Sequence, residues 1–289
     1  MPPTQKLRDI YAIIVGILFV PQMHVGPIYA TPELALVLGN LYSYIVSPKH
    51  KVMLKLRRKS KIAANIVDFV FKPSHQLAFE PGQYMEFTLA HPRSDSRGNR
   101  RYFTLASSPT EENLRLGVRF YPEGSSYKRA LYWLDNRTTM LAGQVAGDFT
   151  LPRNHDQKLV FIAGGIGITP FRSMLKYLID MKEPRDIVLF YGNKTVDEIA
   201  YTDVLTQAQK LPGIRVFYTL TETEAIPRNW RGLTGRINAS MIRKLVPDYQ
   251  DRTFYISGPP DMVRATERML KNMQVNSNQI KKDFFPGLV

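Results

Sequence analysis

The pattern of apolar and polar positions divides the chain into three stretches. Residues 10–31 (IYAIIVGILFVPQMHVGPIYAT) carry no charge. A helix of that length is about 33 Å long, enough for a bilayer core of about 30 Å. Pro21, Gln22, His24 and Pro27 argue against one straight helix. A second apolar run, Leu34–Val46, follows Pro32 and Glu33, which suit a first helical turn. It spans only about 20 Å as a helix. A secretory signal peptide, a buried helical hairpin and a membrane hairpin or re-entrant anchor compete here. Basic residues at 6–8 and 49–61 flank the pair and favour the anchor.

From Lys51 the period becomes two. Val52, Leu54 and Leu56 alternate with Met53, Lys55 and Arg57, and the spacing predicts further strands at Ile62–Phe71, Tyr84–Leu89, Tyr102–Ala106, Leu114–Tyr121 and Met140–Val145. With one helical stretch near Tyr127–Leu134, these short strands imply an antiparallel barrel or sandwich. After a polar linker at 153–158 the pattern changes again. Apolar strands at Leu159–Ala163, Ile187–Tyr191, Arg215–Thr219 and Phe254–Ser257 alternate with helices at Phe171–Met181, Asp197–Gln209, Ala239–Leu245 and Met262–Met273. That alternation is the signature of a parallel sheet covered on both faces. The expected fold class is β plus α/β: an antiparallel barrel, then a parallel-sheet domain, preceded by a helical membrane segment. The expected boundaries are 1–48, 49–155 and 156–289.

Composition narrows the chemistry. The chain has 289 residues, a net charge of +14 and no cysteine, which excludes disulfides, thiolate zinc sites, cysteine nucleophiles and cysteine-held iron–sulfur clusters. Half of the positive excess lies in residues 1–61, against only Asp9 and Glu33, and a solvated face or an anionic membrane surface explains it more simply than nucleic acid. The five histidines are scattered without metal-ligand spacing, so no metal site is expected.

Four motifs carry candidate chemistry. Strand 159–163 runs into Gly164-Gly165-Ile166-Gly167-Ile168-Thr169-Pro170 and a helix, a turn suited to a pyrophosphate. Its last glycine position holds Pro170, so it is not the full dinucleotide fingerprint. The others are Arg101-Tyr102-Phe103-Thr104 in a barrel strand, Gly124-Ser125-Ser126 at a helix start, and Ser257-Gly258-Pro259-Pro260 at a strand end.

In this order and spacing, with Pro81-Gly82-Gln83-Tyr84 and Gly147-Asp148-Phe149 beside them, the motifs resemble the ferredoxin–NADP reductase superfamily over roughly residues 50–289. The resemblance implies an FAD-binding barrel followed by an NAD(P)-binding domain. It implies that Arg101 meets the FAD pyrophosphate, that Tyr102, Phe103 and Thr104 lie at the flavin, and that Ser125 and Ser126 hold phosphate oxygens. Gly164, Gly165, Gly167, Thr169 and Pro170 would form the NAD(P)H pyrophosphate turn, and Gly258 and Pro259 would border the nicotinamide. Phe103 replaces a frequent tyrosine. Ser257 replaces a frequent cysteine at the site of hydride transfer, and Asp283-Phe284-Phe285-Pro286 resembles the terminal segment that lays an aromatic on the isoalloxazine ring, with Phe285 the candidate ahead of Phe284. Residues 31–40 (TPELALVLGN) resemble the membrane subunit of Rnf/Nqr-type complexes. The expected function is a membrane-associated, NAD(P)H-dependent FAD reductase with cytoplasmic catalytic domains, serving a protein or small electron acceptor and no nucleic acid. The alternative is a non-catalytic or partner-dependent subunit of a membrane electron-transport complex.

Overall fold

The computed structural model describes residues 51–284; the expected anchor at 1–48 and Phe285 lie outside the described residues. Among those described, no helix is long and apolar enough to cross a membrane.

The first half is a six-stranded antiparallel sheet. Its strands are β1 (Val52–Ala63), β2 (Ile66–Pro73), β3 (Tyr84–Thr88), β4 (Arg100–Thr104), β5 (Leu114–Arg119) and β6 (Thr139–Ala146), ordered β4-β3-β6-β1-β2-β5. The expected strand at 62–71 is two strands. Ala64 and Asn65 turn the chain so that Ala63 faces Ile66 across a tight hairpin. Beyond Thr104 the chain continues alongside β5, where the Ala106 N–H donates to the Arg115 carbonyl at 3.0 Å and brings the sheet's edges together. Inside, Leu54, Phe69, Phe87, Leu116 and Met140 pack against Tyr127 and Leu131 of helix α1 (Ser126–Tyr132), which stoppers the curled sheet.

The second half is a parallel sheet. Strands β7 (Leu159–Gly164), β8 (Ile187–Asn193), β9 (Ile214–Leu220), β10 (Leu233–Thr234), β11 (Thr253–Gly258) and β12 (Ile280–Phe284) run in the order β10-β9-β8-β7-β11-β12. Helices α2 (Thr169–Met181) and α3 (Thr202–Ala208) pack on one face, and α4 (Ala239–Leu245) and α5 (Pro260–Asn272) on the other. Leu159–Ala163 are all fully buried, which is why β7 reads as an unbroken apolar run rather than an alternating one. The core under α2 also takes in Ala63, Ile66, Ala106 and Phe149 from the first half, so the two halves share apolar packing.

Candidate functional site

Strand order reverses between β7 and β11, and the carboxyl ends of both open into the same crevice. In open α/β sheets this is where ligands bind. The crevice forms a cleft of about 1040 Å³. The barrel lines it with β4, the end of β5 and the entry to α1; the parallel sheet lines it with Ile166, Thr169, Pro259, Pro260, Asp261 and Asp283.

On the barrel side, Arg101 is held by the protein itself. Its Nη1 donates to the carbonyls of Arg97, Gly98 and Arg100 at 2.8, 3.0 and 2.6 Å, and its Nη2 to Asp95 Oδ1 at 3.0 Å. The guanidinium lies 5.3 Å from the Tyr127 ring centre. Asp95 also accepts from the Ser126 N–H at 3.1 Å, while its own N–H donates to Ser126 Oγ at 2.9 Å. These bonds outweigh desolvation and hold the Asp95 carboxyl down at about 2. Ser126 is thus turned toward the loop at 91–95 and is buried, whereas Ser125, capping α1 through Lys128 N–H, lines the cleft. Tyr102 is exposed and meets Tyr84 edge to face at 5.8 Å. Phe103 contacts the cleft, but its ring packs on Phe87 and Tyr127, each with centroids 5.9 Å away.

The glycine turn shows two different uses of a missing side chain. A Cβ on Gly164 would lie 2.1 Å from Met262 Sδ, and one on Gly167 would lie 2.3 Å from the Ser257 carbonyl oxygen. Both glycines serve close packing against β11 and α5. Gly165 is different: it has φ +52° and faces Arg119, whose Nη1 would be 3.1 Å from an added Cβ. Arg119 Nη2 donates to Glu198 Oε2 at 2.7 Å, yet its Nε is buried without a protein partner. The Thr169 hydroxyl donates to the Ile166 carbonyl at 3.1 Å, and Pro170 is buried in the first turn of α2.

Two further buried groups lack a protein partner: Ser257 Oγ and Asp283 Oδ2. Burial raises the Asp283 carboxyl to about 6; Asp148 pushes the same way and the Thr104 hydroxyl opposes. Lys128, whose Nζ donates to the Arg119 carbonyl at 2.9 Å, is pushed down by burial and by the charges of Arg97 and Arg119. Cationic donors therefore gather on the barrel side of the cleft, a protonatable carboxyl lines the other side, and the Ser257 hydroxyl lies buried behind it. Buried donors without a protein partner and a positive-φ glycine beside Arg119 fit the phosphates and polar rings of two dinucleotides.

Residues 161–268 match the family model described as the oxidoreductase NAD-binding domain. The chain is 28% identical to NADH-cytochrome b5 reductase 1 of Ajellomyces capsulatus, covering 82% of this chain and 79% of that one. It is 27% identical to a flavohemoprotein of Oceanobacillus iheyensis, covering 81% of this chain but only 59% of the relative, so it spans less than two thirds of that protein. A cytochrome P450 reductase from Amycolatopsis superposes with a TM-score of 0.71 at 23% identity, over 82% of this chain and 70% of the other. The chain has the ferredoxin–NADP reductase-like FAD/NAD-binding fold. FAD and NAD(P)H are the cofactors of this fold, and the cleft residues fit both.

Of the residues named from sequence in this reductase-like fold, Arg101, Tyr102, Phe103, Thr104, Ser125, Thr169 and Pro259 line one cleft. Gly164, Gly167, Pro170 and Ser257 support its floor from behind. Asp95, Arg119 and Asp283 were not singled out. Asp95 and Arg119 lie outside the recognisable motifs, and their partners come from distant parts of the chain. Asp283 was visible as part of a terminal motif, but nothing local reports its burial.

Proposed function

We propose that the chain is a flavin-dependent oxidoreductase that oxidises NAD(P)H and passes electrons to a separate acceptor. FAD would accept hydride from the nicotinamide and release electrons singly or in pairs, chemistry that belongs to the cofactors. What carries the reading is the single cleft at the β7/β11 crossover, shared by barrel and parallel sheet. Arg101 and Ser125 would hold the FAD pyrophosphate, with Asp95 fixing the guanidinium and Tyr102, Phe103 and Thr104 bordering the ring. Gly165, Thr169 and Arg119 would receive the coenzyme phosphates. Ser257 Oγ, Gly258 and Pro259 would border the nicotinamide, and Asp283 would hold a proton near the flavin edge. Phe285 would supply the aromatic on the flavin face.

The acceptor is a protein or diffusible molecule, because a chain without cysteine carries no cysteine-ligated cluster to receive the electrons. The names of the relatives, a cytochrome b5 reductase and a flavohemoprotein, support a haem-containing or similar one-electron acceptor. The apolar runs at 10–31 and 34–46 with their basic flanks support a membrane tether that keeps the catalytic domains on the cytoplasmic side.

Purified protein should show a flavin spectrum that NADH or NADPH bleaches without oxygen. Folded protein that neither takes up FAD nor oxidises either coenzyme would refute the reading. Deleting residues 1–48 should move the protein from the membrane to the soluble fraction while flavin bleaching persists. Unchanged membrane association would remove the tether from the proposal.

A further inference from the structure

A buried polar network joins the strand that borders the flavin site to the turn that borders the coenzyme site. Beyond β4, the Ala106 carbonyl accepts from Arg172 Nη1 at 2.9 Å and the Ser107 carbonyl from Ser173 Oγ at 2.6 Å. Both donors lie in the first turn and a half of α2, directly after the glycine turn. Arg172 also grips Glu111 with both prongs, Nη1 to Oε2 and Nη2 to Oε1 at 3.0 Å. Glu111 in turn accepts from Arg115 Nε at 3.2 Å, and Arg115 Nη1 donates to Asp68 Oδ2 at 2.7 Å. The loop closes through Tyr201, whose hydroxyl donates to Asp68 Oδ1 at 2.9 Å and whose ring centre lies 5.7 Å from the Arg172 guanidinium.

Two arginines and two carboxylates in one buried set balance in charge. Such a set gives little stability over apolar side chains of the same volume, because desolvation offsets the Coulomb gain. What it fixes is geometry: Arg–carboxylate forks tolerate little rotation. The packing beside it is equally unforgiving. A Cβ on Gly117 of β5 would lie 2.5 Å from the Tyr201 hydroxyl and 2.9 Å from Thr169 Cγ2. Barrel and parallel sheet therefore meet at contact distance on either side of the cleft, with the polar network behind.

We infer that Asp68, Glu111, Arg115, Arg172 and Tyr201 are positioning residues that set the spacing of flavin and nicotinamide without touching either. The inference rests on the reductase reading above. Small displacements of reacting groups weigh heavily in such a step: about 1 Å can cost about 100-fold in rate. Binding, by contrast, depends on side chains the network does not supply.

The test uses the full flavin-loaded chain. Arg172→Lys keeps the charge and loses the fork. Glu111→Gln keeps the side-chain shape and loses the charge that Arg172 and Arg115 share. Tyr201→Phe removes one hydroxyl and keeps the test open should a charged variant not fold. Each should bind FAD and the oxidised coenzyme within about 3-fold of the parent, while the anaerobic flavin-bleaching rate at saturating coenzyme falls roughly 10- to 100-fold for the first two. The long-wavelength charge-transfer absorbance of the stacked rings should weaken with it. An unchanged saturating rate would overturn the inference, as would a loss of binding that accounts for the whole loss of rate. A parent protein that takes up no flavin would refute the reductase reading, and the inference with it.

Discussion

Asp283 is the residue whose state depends most directly on the solvent. Its carboxyl is raised from 3.8 to about 6, so the folded chain holds a proton that the unfolded chain has released. Its contribution favours folding fully below about pH 4 and is lost as pH rises through 6. A shift of about 2 units corresponds to about 3 kcal/mol. Asp283→Asn should therefore unfold at higher denaturant than the parent at pH 8 and at the same denaturant at pH 4. Equal differences at both values would mean that the group titrates normally. A second residue-scale expectation concerns the coenzyme. Lys194, just past β8, lies 3.8 Å from Glu222, just past β9. An acidic side chain there accepts from a ribose hydroxyl and repels a phosphate. The protein should prefer NADH, and Glu222→Gln should raise kcat/KM for NADPH relative to NADH several-fold; an unchanged ratio would place specificity elsewhere.

At the scale of elements, the glycine turn is as much a packing joint as a ligand loop. Gly167 abuts the Ser257 carbonyl and the Gly258 nitrogen, backbone atoms that cannot swing aside. Gly167→Ala should lower unfolding stability by about 1–3 kcal/mol, the usual size of an overpacking defect, and chemical denaturation measures it. The elements legible in the sequence are those whose pattern is set by their own burial. β1 alternates because one face is solvated, and β7 is uniformly apolar because both are covered. Others were hidden by their partners. β12 reads Ile-Lys-Lys-Asp-Phe and is a strand because it pairs along β11, with Lys282 bonded to Glu267 and Lys281 set over the Tyr255 ring. α3 begins at Thr202 rather than 197, because Tyr201 adopts φ 56° and interrupts a periodicity that runs through it. β10, with two residues, is shorter than any periodic window. The site was legible to the same degree. Motif residues such as Arg101 and Thr169 were visible, whereas Asp95 and Arg119 gain their meaning from groups 31 and 79 positions away.

At the scale of the molecule, the described residues behave as one body. Phe149 packs on both Phe171 and Tyr255, the Tyr255 hydroxyl donates to the Thr150 carbonyl at 2.8 Å, and Ala63 and Ile66 enter the same core. Separating the halves would expose that apolar surface and strand the buried charges of Arg172 and Asp68. Calorimetry should record a single cooperative transition for residues 49–289, and two well-separated transitions would show that the halves fold independently.

That continuity bears on traffic. In a hinged enzyme the coenzyme enters and leaves as two lobes swing apart. Here the Ala106–Ser107 segment and the glycine turn are fastened to the same end of α2. The cleft is a fixed doorway, and exchange of nucleotide must proceed through side-chain movements at its rim, around Tyr102, Lys128 and Pro259. The pace of turnover would then be governed by local gating, nearly independent of solvent viscosity, rather than by the breathing of one domain against another.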